Sequence, residues 1–250
     1  MRDIAVKFEH ISMAFPGVLA NDDVSLEIQR GEVFALVGEN GAGKTTLMNI
    51  LYGINTPTDG RVFIQGREVE RFDPKTAIGL GVGMVHQHFM LVPSFTVAQN
   101  IVMSREPRRA RFLFDNAKAE ALTQALVEEY GLVVDPSAPV EELGVGLQQR
   151  VEILKTLFRG AEILILDEPT AVLTPQETDE LFAVIRRVVK ERSMTVIIIT
   201  HKLYEVMAIS DRVGVMRKGR LVGVKNTSEV DEKQLASMMV GRPVLYDQLQ

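Results

Sequence analysis

The chain has 250 residues and no cysteine. That excludes disulfides and thiolate metal sites, and it fits a reducing cytoplasm. Long apolar runs are lacking too. The longest aliphatic ones, Ile163 to Leu166 and Val196 to Ile199, fall far short of the roughly 20 residues of a membrane span. The opening stretch MRDIAVKFEH has no apolar core, so no secretory signal is expected. Nor is there an excess of positive charge. The 28 Lys and Arg stand against 33 Asp and Glu, a net charge of −5, without the basic footprint of a nucleic-acid binder. Internal repeats, low-complexity tracts and coiled-coil heptads are absent as well. What remains is a soluble globular composition, long enough for one large domain or a core with an inserted lobe. A membrane role would then require a partner.

Apolar periodicity orders the chain. Residues 1–30 alternate and carry turn chemistry at Phe15-Pro16-Gly17 and Asn21-Asp22-Asp23, which predicts antiparallel strands. Val33 to Val37 is continuously apolar, as a strand buried on both faces must be. A helix is expected from Lys44 to about Tyr52, with further strands at Arg61–Ile64 and Val82–Val85. Between about 95 and 160 the period becomes helical, at Asp115–Tyr130 and Leu147–Phe158, and no strand is obvious there. Strands return at Ile163–Leu166, Thr195–Thr200 and Arg212–Met216. Thr174, Pro175 and Glu177 supply N-cap, N1 and N3 of a helix running to about Lys190. Buried strands alternating with helices predict a parallel α/β core with an inserted helical lobe.

The run Gly38-Glu39-Asn40-Gly41-Ala42-Gly43-Lys44-Thr45 matches G-x-x-x-x-G-K-[ST] in full. Glycines let backbone N–H groups turn inward around phosphate, and the following helix aims its positive end at the same anion. Lys44 would reach the β- and γ-phosphates, and the Thr45 hydroxyl would ligate Mg²⁺. A glycine-rich turn without a ligand is the plain alternative; the position between a buried strand and a helix favours the phosphate site.

A second element is Ile163-Leu164-Ile165-Leu166-Asp167-Glu168, a buried strand delivering carboxylates at its C-terminal end. Asp167 would hold Mg²⁺, and Glu168 would polarise an attacking water as general base. By itself the pair could be an ordinary strand end with solvated acids. By itself His201 could be a hydrogen-bonded loop histidine. Yet Gly38, Asp167 and His201 each follow an apolar strand, and ligands of open α/β sheets bind outside those ends. Gln87 likewise follows Val82–Val85, whereas His86 and His88 are read as loop or surface residues.

In order and spacing these motifs resemble the ABC-type nucleotide-binding domains over essentially the whole chain. The match runs from the phosphate loop through Gln87, a signature-like Leu143-Gly144-Val145-Gly146-Leu147-Gln148-Gln149-Arg150, and Asp167-Glu168-Pro169-Thr170, to His201. The resemblance implies a P-loop NTPase α/β core with an antiparallel β subdomain and an inserted helical subdomain near 89–160, all within one domain, 1–250. It implies ATP and Mg²⁺ as cofactors, bound by Gly38 through Thr45 and by Thr46. Phe15 would stack on adenine. Thr45, Gln87 and Asp167 would serve the metal; Glu168, His201 and Gln87 would serve hydrolysis. Implied partners are integral membrane transporter subunits, a second nucleotide-binding domain, fused or separate, and indirectly an extracytoplasmic solute-binding protein. No nucleic-acid partner is implied. The place would be peripheral, on the cytoplasmic face of the membrane.

AFPGVLANDDVSLEI, GENGAGKTTLMNILYG and MVGR at 239–242 resemble the first half of tandem sugar and nucleoside importer ATPases. The stretches from His86 to Pro93 and from Thr170 to Pro175 favour the nucleoside-type branch. On that resemblance the chain is expected to be one half of a longer protein.

The departures lie in the signature, where the usual serine is Gly144 and the usual glutamine Leu147, and at the D-loop aspartate position, which holds Thr174. A Ras-type GTPase would need an Asn-Lys-x-Asp motif, which is absent. An ABC protein acting on DNA or ribosomes would bring coiled coils, zinc motifs or basic linkers. A pure nucleotide-binding module is the third alternative, raised by the altered signature. The run from Arg105 to Arg111 is a solvated loop or a contact for a membrane subunit or anionic headgroups, and the methionines are core filler.

Overall fold

The computed structural model describes residues 3–87, 89–109 and 113–242. Strands β1 (Ile4–Phe15) and β2 (Val18–Gln29) form an antiparallel hairpin closed by Pro16 and a left-handed Gly17. Their buried residues, Phe8, Ile11 and Met13 facing Val24, Leu26 and Ile28, cover one side only, as an antiparallel sheet with one wet face requires. Next come β3 (Val33–Val37), α1 (Lys44–Leu51), β4 (Asp59–Ile64), β5 (Arg67–Glu68), α2 (Pro74–Gly79) and β6 (Val82–Val85). The helical stretch holds α3 (Val97–Val102), a small hairpin of β7 (Arg108–Arg109) and β8 (Leu113–Phe114), α4 (Asn116–Tyr130) and α5 (Val145–Phe158). The remainder is β9 (Ile163–Asp167), α6 (Pro175–Arg192), β10 (Thr195–Thr200), α7 (Leu203–Ile209), β11 (Arg212–Arg217), β12 (Arg220–Asn226) and α8 (Glu232–Val240).

One sheet runs β2-β1-β4-β5; the main sheet runs β12-β11-β3-β10-β9-β6, parallel throughout except for β12. Strand β10 shows why its sequence is apolar without alternation. Ile197 and Ile199 pack with α1 and the antiparallel sheet, whereas Val196 and Ile198 pack with α3 to α6 on the opposite face. Register sets the functional edge. Val37 lies opposite Thr200, Asp167 opposite Ile199 and Val85 opposite Leu166, so four strands end nearly level.

The helix at 175 starts as the sequence predicts, with Thr174 and Glu177 forming a reciprocal capping box. Helix α5 begins two residues before the expected Leu147. Sequence periodicity misses α2, α3, α7 and α8, of six to nine residues, too short to establish a period. Strands β7 and β8 stand in the stretch where no strand is obvious from the sequence. These two-residue strands carry exposed Arg108, Arg109, Leu113 and Phe114, without the alternation that burial imposes. Ala110 and Arg111 of the charged run, and His88, lie outside the described residues.

Candidate functional site

Between β3 and α1 the phosphate loop is held from two sides. A Cβ on Gly38 would stand 2.4 Å from the Met216 carbonyl of β11, and one on Gly43 would stand 2.3 Å from the Ala20 carbonyl of β2. Gly43 also has φ 96°, which L side chains rarely adopt. Asn21, wholly buried, donates its amide to the Gly43 carbonyl at 3.1 Å. Gly41, with φ 79°, faces open space, so its requirement is conformational alone. The apex residues Glu39, Asn40 and Gly41 are exposed, Ala42 is buried, and Thr46 is half-buried in the first turn of α1.

Lys44 is buried and donates to the Gly38 and Glu39 carbonyls at 2.8 and 3.0 Å. Burial pushes its amine below the ordinary value, opposed by the Glu168 and Asp167 carboxylates. Asp167 shows the mirror effect. Burial pushes its carboxyl up, against the Thr45 hydroxyl hydrogen bond and the nearby charges of His86 and Lys44.

Glu168, next along, takes a left-handed φ of 48°, costly for a non-glycine residue. Its N–H donates to the Ile199 carbonyl at 2.9 Å, and its carboxylate meets His201 Nδ1 at 3.1 Å. Phosphate loop, Asp167, Glu168 and His201 thus come together at one edge. Gln87 is exposed two residues beyond β6, with no hydrogen-bond partner among the described residues. Phe15, 41% exposed, ends β1 at the tip of the hairpin whose second strand touches Gly43.

His86 lies in the loop after β6, in keeping with its reading as a loop or surface residue. It is half-buried, edge-on to Tyr52 at 5.8 Å between ring centres, and near enough to Asp167 to help lower that carboxyl. The segment after Gln87 is also tied down. Glu152 and Lys155 of α5, a buried ion pair, take the Met90 N–H and carbonyl at 2.6 and 2.7 Å, and Asn100 does the same for Val92. Nothing in the linear pattern marks these contacts, which join residues up to 65 positions apart.

Among the described residues no cluster of three His, Cys, Asp or Glu side chains could cage a metal. A hydroxyl and one carboxylate, Thr45 with Asp167, fit Mg²⁺ instead, because that ion keeps waters and phosphate oxygens in its shell.

The family profile described as ABC transporter matches residues 21–171. The chain belongs to that family. It is 48% identical to the guanosine import ATP-binding protein NupO of Bacillus subtilis, across 98% of its own length and 48% of that protein. It is 47% identical to the glucose import ATP-binding protein TsgD13 of Haloferax volcanii, across 98% and 49%. The chain therefore spans about half the length of the curated relatives it matches. Among solved structures, cbiO1 from Clostridium perfringens, part of the ABC transporter complex cbiONQ, superposes with TM-score 0.80 at 28% identity, covering 96% and 95% of the two chains. The ADP conformation of the cassette MJ1267 shares the fold, with TM-score 0.82 at 22% identity over 96% and 99%.

The signature-like segment of this ABC chain forms the start of α5. Gly144 is its N-cap, without a side-chain cap, and a Cβ there would meet nothing within 4 Å. Gly146 is crowded: a Cβ would stand 2.4 Å from Oε1 of Glu177, whose Oε2 is held by Thr174. Leu147 packs against the core beneath the helices. Gln149 donates to the Pro169 carbonyl at 2.6 Å, tying α5 to the loop after Glu168. No helix among the described residues is long and apolar enough to cross a membrane.

Proposed function

We propose that this chain is the ATP-binding and ATP-hydrolysing cassette of an importer for sugars or nucleosides. It would work on the cytoplasmic face of the membrane with integral membrane subunits and a second nucleotide-binding domain, fused or separate. A solute-binding protein outside the membrane would deliver the solute. Residues 1–250 act as one such cassette, with 89–160 as its helical subdomain. The observation that carries the reading is the meeting of Lys44, Asp167, Glu168 and His201 at the ends of adjacent parallel strands. The relatives' names supply the solute class.

In this reading the backbone N–H groups of Gly38–Thr45 and the Lys44 ammonium cradle the β- and γ-phosphates. Thr45, Asp167 and Gln87 would hold Mg²⁺, which would supply neutralisation of phosphate charge. Phe15 stacks on adenine and Thr46 contacts the phosphates. Water attacks the γ-phosphorus, its proton passes to the Glu168 carboxylate, and the β–γ bridging oxygen leaves with ADP. His201, bonded to Glu168, orients that carboxylate. Glu168→Gln in the assembled transporter should keep ATP binding and cut turnover by ~10²–10⁴-fold, the usual worth of a general base. Near-normal turnover would remove Glu168 from the role.

A further inference from the structure

Glu205, in the first turn of α7, is wholly buried yet surrounded by donors. Its Oε1 receives the Thr170 hydroxyl, the Tyr204 hydroxyl at 3.1 Å and the Lys202 ammonium at 3.2 Å. Its Oε2 receives the Thr200 hydroxyl at 3.0 Å. The carboxylate thus joins the segment after Glu168 to the end of β10. Thr170 stands two residues after Glu168, and Thr200 one residue before His201. Lys202 closes the arrangement, donating to the Thr170 carbonyl at 2.9 Å while its own N–H donates to Thr200 Oγ1 at 3.0 Å.

We propose that Glu205 is a positioning residue that fixes the Glu168 loop against the His201 loop. The inference rests on the reading that Glu168 carries the reaction. The side-chain bridge that reaches Glu168 itself, from His201, is a poor anchor by itself because the imidazole is 47% exposed. Glu168 also sits in a left-handed conformation, which persists only where the surroundings over-determine it. A buried carboxylate with both oxygens paired supplies that constraint, since the buried Thr170 and Thr200 hydroxyls would otherwise have no acceptor. Reacting groups need support of this kind from residues that never touch substrate.

The test is made in the complete transporter with Thr170→Val, Thr170→Ser, Glu205→Gln and Glu168→Gln. A displacement of Glu168 of about 1 Å should lower kcat on the order of 10²-fold in Thr170→Val and Glu205→Gln. ATP affinity should stay within about twofold, because the phosphate loop is untouched. Thr170→Ser, which restores the hydroxyl, should recover turnover; a purely structural role would move stability and not kcat per folded molecule. Thr170→Val decides the matter if Glu205→Gln fails to fold. Combined with Glu168→Gln, the Thr170→Val change should add no further loss, since both act through one carboxylate. The proposal is overturned if Thr170→Val turns over normally while Glu168→Gln is crippled, or if the double variant loses the full factor again. Normal turnover of Glu168→Gln alone would instead remove the reading on which it rests.

Discussion

Helices α1 and α5 both begin at a glycine N-cap without a side-chain cap, Gly43 and Gly144. At Gly43 the backbone is left-handed, and strand β2 approaches so closely that no Cβ fits. At Gly144 the backbone is ordinary extended chain, φ −60° and ψ 157°, with open space beside it. The same residue type is thus a geometric necessity at one helix and the removal of a hydroxyl at the other. The phosphate loop keeps every residue of its motif, while the signature-like segment keeps its helix start and lacks the serine hydroxyl. In the family, the signature of one domain faces the nucleotide of another. On the proposed reading, such a chain would offer a phosphate site to a second nucleotide-binding domain and a signature without the serine hydroxyl in return.

The difference can be broken most sharply at Gly43. In Gly43→Ala the left-handed backbone costs about 1–2 kcal/mol and the forced shift of β2 roughly 1–3 more. Nucleotide affinity should fall on the order of 10²-fold, measured by equilibrium titration, while Gly144→Ala should leave it unchanged. Equal effects at the two positions would show that the contrast is only apparent.

Restoring the missing donor is the second intervention. Gly144→Ser places a hydroxyl where the fold has room, without disturbing Leu147, which packs into the core. A hydrogen bond to a charged group is worth ~1.5–3 kcal/mol, so ATP-dependent self-association of the isolated chain should rise about tenfold or more. Because serine also caps α5 better than glycine by a few tenths of a kcal/mol, the thermal midpoint is measured alongside. Unchanged association at matched concentration would show that the signature change does not limit closure.

The smallest expected effect concerns the support beneath Gly146. The Thr174 N–H and hydroxyl hold the Glu177 carboxyl below its ordinary value. A depressed acid contributes stability that is complete above the ordinary carboxylate range and lost as pH falls through the lowered value. Glu177→Gln keeps a capping-box side chain but cannot titrate. Denaturant midpoints of variant and wild type should therefore differ at neutral pH and converge as pH falls through that lowered value. A gap that persists into acid would exclude this linkage.

How much of this was legible in the sequence follows from where the constraint lies. Strands β3, β9 and β10 read clearly, because burial on both faces forces continuous apolar runs. The phosphate loop reads clearly, because its backbone geometry admits few residue types. Thr174-Pro175-x-Glu177 reads clearly, because capping is a local bond. Glu205 and the contacts of His86 were missed. The first matters through hydroxyls 35 and five residues away, the second through a ring and a carboxylate on other elements. The helix at Val97 was missed for its shortness, although Thr96 and Gln99 form a capping box that a search for caps would find.

The grip on Met90 has a consequence of its own. Glu152 and Lys155 hold the main chain at that position, and the Met90 side chain, 68% exposed, takes no part. At position 90 only proline, which lacks the N–H, would lose a bond, the one to Glu152, and it would keep the carbonyl that Lys155 grips. Every other residue can stand there with the loop still seated. What this surface presents to a neighbour can therefore be rewritten one side chain at a time, while the path of the chain past Gln87 stays the same.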